Sequence, residues 1–286
     1  MNYRHVYHAG GFGDVVKHAV LAMVIAALQR KDKPVRVLDT HAGIGRYDLG
    51  SDEAGKTGEW RDGILKIFQA PVPEPTALKT YLDLIRAMNG GLKGDLARML
   101  RHYPGSPRLA RALLRPADRL ALVELHPEDN AALAVEFRRD PQVRVYALDG
   151  YAALKSFLPP PERRGLALID PPFEKPGEFE RLTRALVEGH RRFATGTFLA
   201  WHPIKGGAEI AEFHKALAAT GIARILALEF PIRPTDQSDR LNGCGLALIN
   251  PPWPLADELP PVLHFLHTVL RREGKSAWRL TWLTGE

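Results

Sequence analysis

Leu166-Ala167-Leu168-Ile169-Asp170-Pro171-Pro172-Phe173 decides how the rest of the chain is read. Four consecutive apolar residues behind Gly165 have the pattern of a strand buried on both faces, as in a parallel sheet. The run then meets an acid, two prolines and an aromatic ring. Neither proline has an N–H to continue a ladder, and the residue ahead of each is driven to extended backbone. The strand therefore stops at Asp170 and leaves a stiff turn at its carboxyl end, where open α/β sheets bind ligands. The turn offers the Asp170 carboxylate, the Pro171 carbonyl and the flat face of Phe173. Two acceptors and a stacking ring suit an exocyclic amine on a flat heterocycle, such as a base flipped out of its stack. Taken alone, the same residues are equally a strand stop with a solvated acid and a packing ring, so their surroundings must decide.

Outward from this strand, apolar runs alternate with helical patterns. Val35 to Asp39, Leu120 to Leu125, Val143 to Leu148, Thr197 to Trp201, Ile225 to Ile232 and Leu246 to Asn250 read as further strands. That makes about seven, mostly parallel, in one doubly wound α/β sheet. Val15, Val16, Ala19, Val20, Met23, Val24 and Ala27 keep helical spacing, with Asp14 as a candidate cap. One domain over 1–286 is expected, with a helical insertion over 47–118 after the first strand. The stretch 1–13, rich in histidine and glycine, is expected as a separate segment.

The 286 residues carry a formal charge of +6, which leans towards a polyanionic partner. A single cysteine, Cys244, excludes an intramolecular disulfide and a cysteine-rich zinc site. The N-terminus lacks the apolar core of a signal peptide, and His18 to Leu28 is too short to span a bilayer. A cytoplasmic protein without membrane contact is expected.

Thr40-His41-Ala42-Gly43-Ile44-Gly45-Arg46 follows the first strand and first suggests a dinucleotide fingerprint. G-x-G-x-x-G fails at its third glycine, because Asp48 stands there. Polar groups nevertheless recur at strand ends: Asp39 to Gly45, Glu124, Asp149, then Asp170. Parallel strand ends converge on one crevice, so these groups can serve one ligand. Glu124 can bind a ribose diol, Asp149 an adenine amino group, and the glycine loop an amino-acid tail. Those are the requirements of S-adenosylmethionine, and the order resembles class I amino-group methyltransferases.

Further motifs sharpen the resemblance. Tyr3-Arg4-His5, His8-Ala9-Gly10, Asp14-Val15-Val16-Lys17-His18, Leu38-Asp39-Thr40-His41-Ala42-Gly43, Tyr103-Pro104-Gly105-Ser106-Pro107, Glu124-Leu125-His126-Pro127 and Asn250-Pro251-Pro252-Trp253 resemble the bacterial ribosomal RNA large subunit methyltransferase J family, adenine-N6 methyltransferases of 23S ribosomal RNA. The resemblance implies a class I methyltransferase, Rossmann-like fold with S-adenosylmethionine as cofactor and 23S rRNA as partner. It implies cofactor contacts at His18, His41, Gly43, Ser106, Glu124, Asp149, Gly150 and Asp170. Catalysis would fall to Asp170, Pro171 and Phe173, and RNA contacts to Tyr3, Arg4 and Lys17 in a substrate-facing N-terminal region. Phe173 stands where relatives often have Tyr, keeping the ring and losing the hydroxyl. No metal is needed, and a monomer is expected.

Three points stay open at this level. Asn250-Pro251-Pro252-Trp253 repeats the turn with an amide, as a glutamine-amide methyltransferase would. A DNA adenine methyltransferase and a non-catalytic RNA-binding module share most of these features. Arg98, Arg101, His102, Arg108, Arg111, Arg115 and Arg119 are either solvated helix faces or a track for phosphates.

Overall fold

A computed structural model describes residues 5–70, 78–236, 239–272 and 274–285. Among these the strands are β1 Arg36–Asp39, β2 Arg46–Asp48, β3 His102–Pro104, β4 Arg119–Val123, β5 Val143–Tyr146, β6 Gly165–Ile169, β7 Thr197–Ile204, β8 Ile225–Pro231, β9 Gly243–Ile249 and β10 Arg279–Thr284. The helices are α1 Phe12–Leu28, α2 Asp52–Thr57, α3 Glu59–Asp62, α4 Ile64–Gln69, α5 Lys79–Met88, α6 Leu96–Met99, α7 Ser106–Leu113, α8 Pro127–Phe137, α9 Gly150–Phe157, α10 Glu178–Arg192, α11 Gly207–Ala218 and α12 Leu255–Leu270.

Eight strands form one sheet in the order β10-β8-β9-β7-β6-β1-β4-β5, and β2 pairs with β3 apart from it. Neighbours from β5 to β7 are parallel, whereas β9 runs against β7 and β8, and β10 against β8. The expected seven strands are thus eight. Arg279-Leu280-Thr281-Trp282-Leu283-Thr284 lies at the sheet edge with no fully buried position, so it carries no apolar run to announce it.

Strand periodicity sorts the core. Leu166 and Leu168 of β6 join the side that also holds α1, α7 and α12, while Ala167 and Ile169 join the side holding α9, α10 and α11. With both faces covered, β6 must be apolar throughout, as its sequence shows. Helix α1 is buried along almost its whole length, its polar Asp14, Lys17 and His18 included. Asp14 does not occupy the cap position. Gly11 does, and Asp14 lies one turn in, where its Oδ2 accepts the Gly10 N–H at 3.1 Å.

The chain reverses its direction of travel across the sheet between β1 and β6, which are hydrogen-bonded neighbours. Their carboxyl ends carry Asp39 and Asp170. A crevice opens at such a switch point because the crossovers leave it in opposite directions.

Candidate active site

At the start of the Asp-Pro-Pro turn, Asp170 Oδ2 meets the Lys17 ammonium at 2.5 Å. Lys17 Nζ also lies 2.9 Å from Asp14 Oδ1, and the His5 ring meets the Asp14 carboxylate at 3.0 Å. Burial by itself would depress the Lys17 pKa, but Asp14 and Asp170 outweigh it and hold the ammonium well above its ordinary value. Burial would likewise raise the Asp14 pKa, yet His5 and Lys17 pull it well below the usual carboxylate range. Helix α1 thus anchors the turn after β6 through a charged, closed-off chain.

Asp170, Pro171 and Pro172 line a cavity of about 270 Å³ together with Lys17, His41, Gly43, Ser106, Glu124, Asp149 and Gly150. These residues come from five strand ends or helix starts. Gly43 adopts φ +59°, and a β-carbon there would collide with the Tyr47 hydroxyl, so only glycine fits the first loop. Glu124 closes that loop from the next strand: its Oε2 accepts the Gly43 N–H at 2.9 Å and its Oε1 the His126 N–H at 2.8 Å. Asp149 caps α9, with Oδ1 accepting from the N–H groups of Tyr151 and Ala152.

Two groups at the cavity, Asp39 beneath it and His41 in its lining, have shifted pKa values. Asp39 accepts the Ser106 hydroxyl at 2.6 Å, and burial, only partly offset by that bond, raises its pKa to about 6. Thr40 donates its one hydroxyl proton to the Leu168 carbonyl at 3.0 Å, so it must accept from His41 Nδ1, 2.8 Å away. His41 is therefore the Nδ1–H tautomer, and burial lowers its pKa to about 4. Its Nε2 edge lies against Gly150, where a β-carbon would approach to 2.6 Å.

The cavity's outer wall joins α9 to α10. The Tyr151 hydroxyl donates to Glu178 Oε1 at 2.7 Å, and Arg181 reaches Glu178 Oε2 at 3.3 Å. The Arg181 guanidinium also stands 5.1 Å from the Tyr151 ring centroid. Nothing in the spacing of these three residues announces the cluster, apart from Tyr151 following Asp149-Gly150 at a strand end.

Several expected roles are corrected. Lys17 is not a surface group reaching for RNA phosphate; its side chain is 3% exposed and committed to two carboxylates. His18 does not line the cavity: it is fully buried, bonded through Nδ1 to Tyr103 Oη at 2.8 Å, and burial lowers its pKa to about 3. It secures the strand that leads into Gly105 and Ser106. Phe173 turns at φ +50° out of the cavity and into the adjacent groove between α10 and α11, packing edge-on with Phe179 and Trp201. Of the basic cluster, Arg108, Arg111 and Arg115 pair with Glu136, Asp140 and Asp118. Tyr3 and Arg4 lie outside the described residues.

The second proline turn stands at the far end of the sheet. Since β9 is antiparallel to β7, with Ile249 opposite Phe198, Asn250 lies beside the start of β7, whereas Asp170 follows the end of β6. The Asn250 amide donates to the carbonyls of Ala194 and Gly196 at 2.7 and 2.9 Å. It is spent on backbone.

The model of the family described as "Ribosomal RNA large subunit methyltransferase D, RlmJ" matches residues 32–284. Two curated proteins match over 100% of this chain and 100% of their own length. One from Escherichia coli (strain K12) is 41% identical and one from Haemophilus influenzae 40%, and both are named ribosomal RNA large subunit methyltransferase J. A solved structure of a Legionella pneumophila protein is similar with a TM-score of 0.86 at 33% identity, covering 96% of this chain and 98% of that one.

Proposed function

The chain belongs to the ribosomal RNA large subunit methyltransferase J family, and from that membership we propose that it transfers a methyl group from S-adenosylmethionine to the N6 amino group of an adenine in 23S ribosomal RNA. The observation that carries the chemistry is the Asp170 carboxylate, fixed by buried Lys17 at 2.5 Å and opening onto the same cavity as Glu124 and Asp149.

The residues present fit the cofactor. Glu124, oriented by two backbone N–H groups, supplies carboxylate lone pairs for a ribose diol. Asp149 spends one oxygen on the α9 cap and keeps the other for an amino group. Gly43 and Gly150 both line the cavity, and neither carries a side chain that would narrow it. When bound, S-adenosylmethionine supplies an electrophilic methyl group on a sulfonium.

The lone pair of an adenine N6 is delocalised into its ring, so the amine is a poor nucleophile. Hydrogen bonds from N6 to Asp170 and to the Pro171 carbonyl draw that lone pair out of conjugation and offset the positive charge that grows as the new bond forms. Lys17, by occupying Oδ2, fixes which oxygen faces the amine. Asp170 is then the nearest acceptor for the proton that N6 loses. Such preorganised charge stabilisation is typically worth roughly 3–4 kcal/mol.

Single-turnover methylation of 23S rRNA at saturating S-adenosylmethionine tests this. Asp170→Ala should lower the rate by about two orders of magnitude while Asn250→Ala, with its turn at the other end of the sheet, keeps it. Asp170→Asn should retain more than Asp170→Ala, since its amide oxygen still accepts from the amine. Methylation by Asp170→Ala at the normal rate would overturn the assignment. Tyr3 and Arg4 are proposed as RNA contacts from the family resemblance, and the next residue, His5, lines the cavity.

A further inference from the structure

The catalytic turn is held at two ends, and the second hold has no part in the chemistry described so far. Its first residue, Asp170, is tied to α1 through Lys17. Eight residues later the segment enters α10 at Glu178, directly after Gly177 in the left-handed conformation at φ +78°. Glu178 is 6% exposed, an unusual position for the first residue of a helix that begins at a cavity. One of its oxygens accepts the Tyr151 hydroxyl, the other the Arg181 guanidinium. Tyr151 is the second residue of α9, immediately after Asp149 and Gly150, and its ring meets His41 edge-on with centroids 5.6 Å apart. Tyr151, Glu178, Arg181, His41 and Asp149 all line the same cavity.

We infer that the Tyr151–Glu178 hydrogen bond is the distal clamp of the Asp170–Gly177 turn, making Tyr151 and Glu178 positioning residues that set the placement of Asp170 from the cofactor-facing wall. This deepens the methyltransferase reading and rests on it for the identity of the ligand.

With Pro171, Pro172 and Pro176 the segment is stiff, so fixing both its ends restrains the middle. Burial, followed by the bond to Glu178, holds the Tyr151 hydroxyl in its protonated, donating form. A neutral donor on a buried carboxylate makes a charge-assisted bond, and removing the donor leaves an under-satisfied anion. Arg181, 35% exposed on its side chain, cannot replace that donor from its own side of the carboxylate. Because Asp149, Tyr151 and Glu178 line one cavity, the clamp borders the space where the cofactor would sit.

Tyr151→Phe removes the hydroxyl and keeps the ring. In the ligand-free protein, amide hydrogen exchange over residues 173–178 should accelerate about tenfold or more, with Leu182 to Leu186 of α10 unaffected. Affinity for S-adenosylhomocysteine, used as the probe in calorimetry, should stay within about threefold because the ring face is intact. Single-turnover methyl transfer should drop about tenfold, and Glu178→Gln should drop it comparably. The double variant should be no slower than the slower single one, since both break one bond.

Unchanged exchange over 173–178 in Tyr151→Phe would overturn the clamp, as would equal acceleration through Leu182 to Leu186 or additive effects of the two variants. Failure of the wild-type protein to bind S-adenosylhomocysteine would instead strike the underlying reading, while the exchange result in the ligand-free protein would still stand or fall independently.

Discussion

Lys17 stands between Asp14 at 2.9 Å and Asp170 at 2.5 Å, with 3% of its side chain exposed. The three groups do not depend on one another equally. Lys17→Met would remove the ammonium that Asp14 and Asp170 share, leaving Asp14 with His5 and the Gly10 N–H, and breaking a buried ion pair typically costs about 3–5 kcal/mol. Asp170→Ala would leave Lys17 still seated on Asp14, so its cost should be about 1.5–3 kcal/mol, that of a hydrogen bond to a charged group. Urea denaturation of the two variants checks the order, and a more damaging Asp170→Ala would contradict the arrangement. Because Lys17 is closed off from solvent, its loss should also leave the salt dependence of RNA binding unaltered, whereas removing a phosphate contact would lower that slope by about one. None of this was legible in the sequence. In the sequence Asp14 reads as a candidate cap and Lys17 as an RNA contact, and only the packing of α1 against the sheet buries the pair.

Most of the elements legible in the sequence carry a run of buried apolar residues, although β5, also legible, buries only Val143. β1, β4, β6, β7 and β9 are short apolar runs because helices cover both faces, and their ends delivered Asp39, Glu124 and Asp170 to one crevice. β10 was illegible because an edge strand need not be apolar, and β2 and β3 because three residues cannot display a period. α12 was hidden by Pro260 and Pro261, which lie inside its sixteen residues and read as a break. The repeated Pro-Pro turn shows what sequence order cannot supply. Asp170 and Asn250 each follow a buried strand, but β9 runs backwards, which sends Asn250 to the opposite end of the sheet. There it adopts φ +50°, a conformation asparagine tolerates, and ties the α10–β7 connection through two carbonyls. Asn250→Ala should therefore lower stability by about 1–3 kcal/mol, combining lost hydrogen bonds with left-handed strain. Asn250→Gly should recover the backbone part of that loss. A thermal shift series comparing the two would expose any error, since equal losses would remove the strain component.

Across the whole molecule, charge counted from the sequence and charge available to a partner differ. The formal +6 suggested an arginine track, yet Arg108, Arg111 and Arg115 are answered by acids brought from α8, its following turn and the approach to β4. What the fold does create is a set of buried histidines kept neutral. His18 and His202 have pKa values lowered by burial to about 3, and His41 to about 4. Each titrates near 6.5 once the chain unfolds, so below that pH the unfolded state takes up protons that the folded state refuses. Asp39 works in the opposite direction, because burial raises its pKa to about 6 and its contribution to stability is lost as pH rises through that value. Three histidines against one carboxylate leave the unfolded chain ahead by about two protons between roughly pH 5 and 6.5. Stability should then fall by roughly 2–3 kcal/mol per pH unit on acidification through this window, before most carboxylates begin to titrate. Urea midpoints measured on the ligand-free protein at half-unit steps from pH 7.5 to 5 would follow the decline. A midpoint that stays level from pH 6.5 to 5 would mean that these histidines accept protons without unfolding, and that the polar layer beneath the cavity is less tightly closed than its burial indicates.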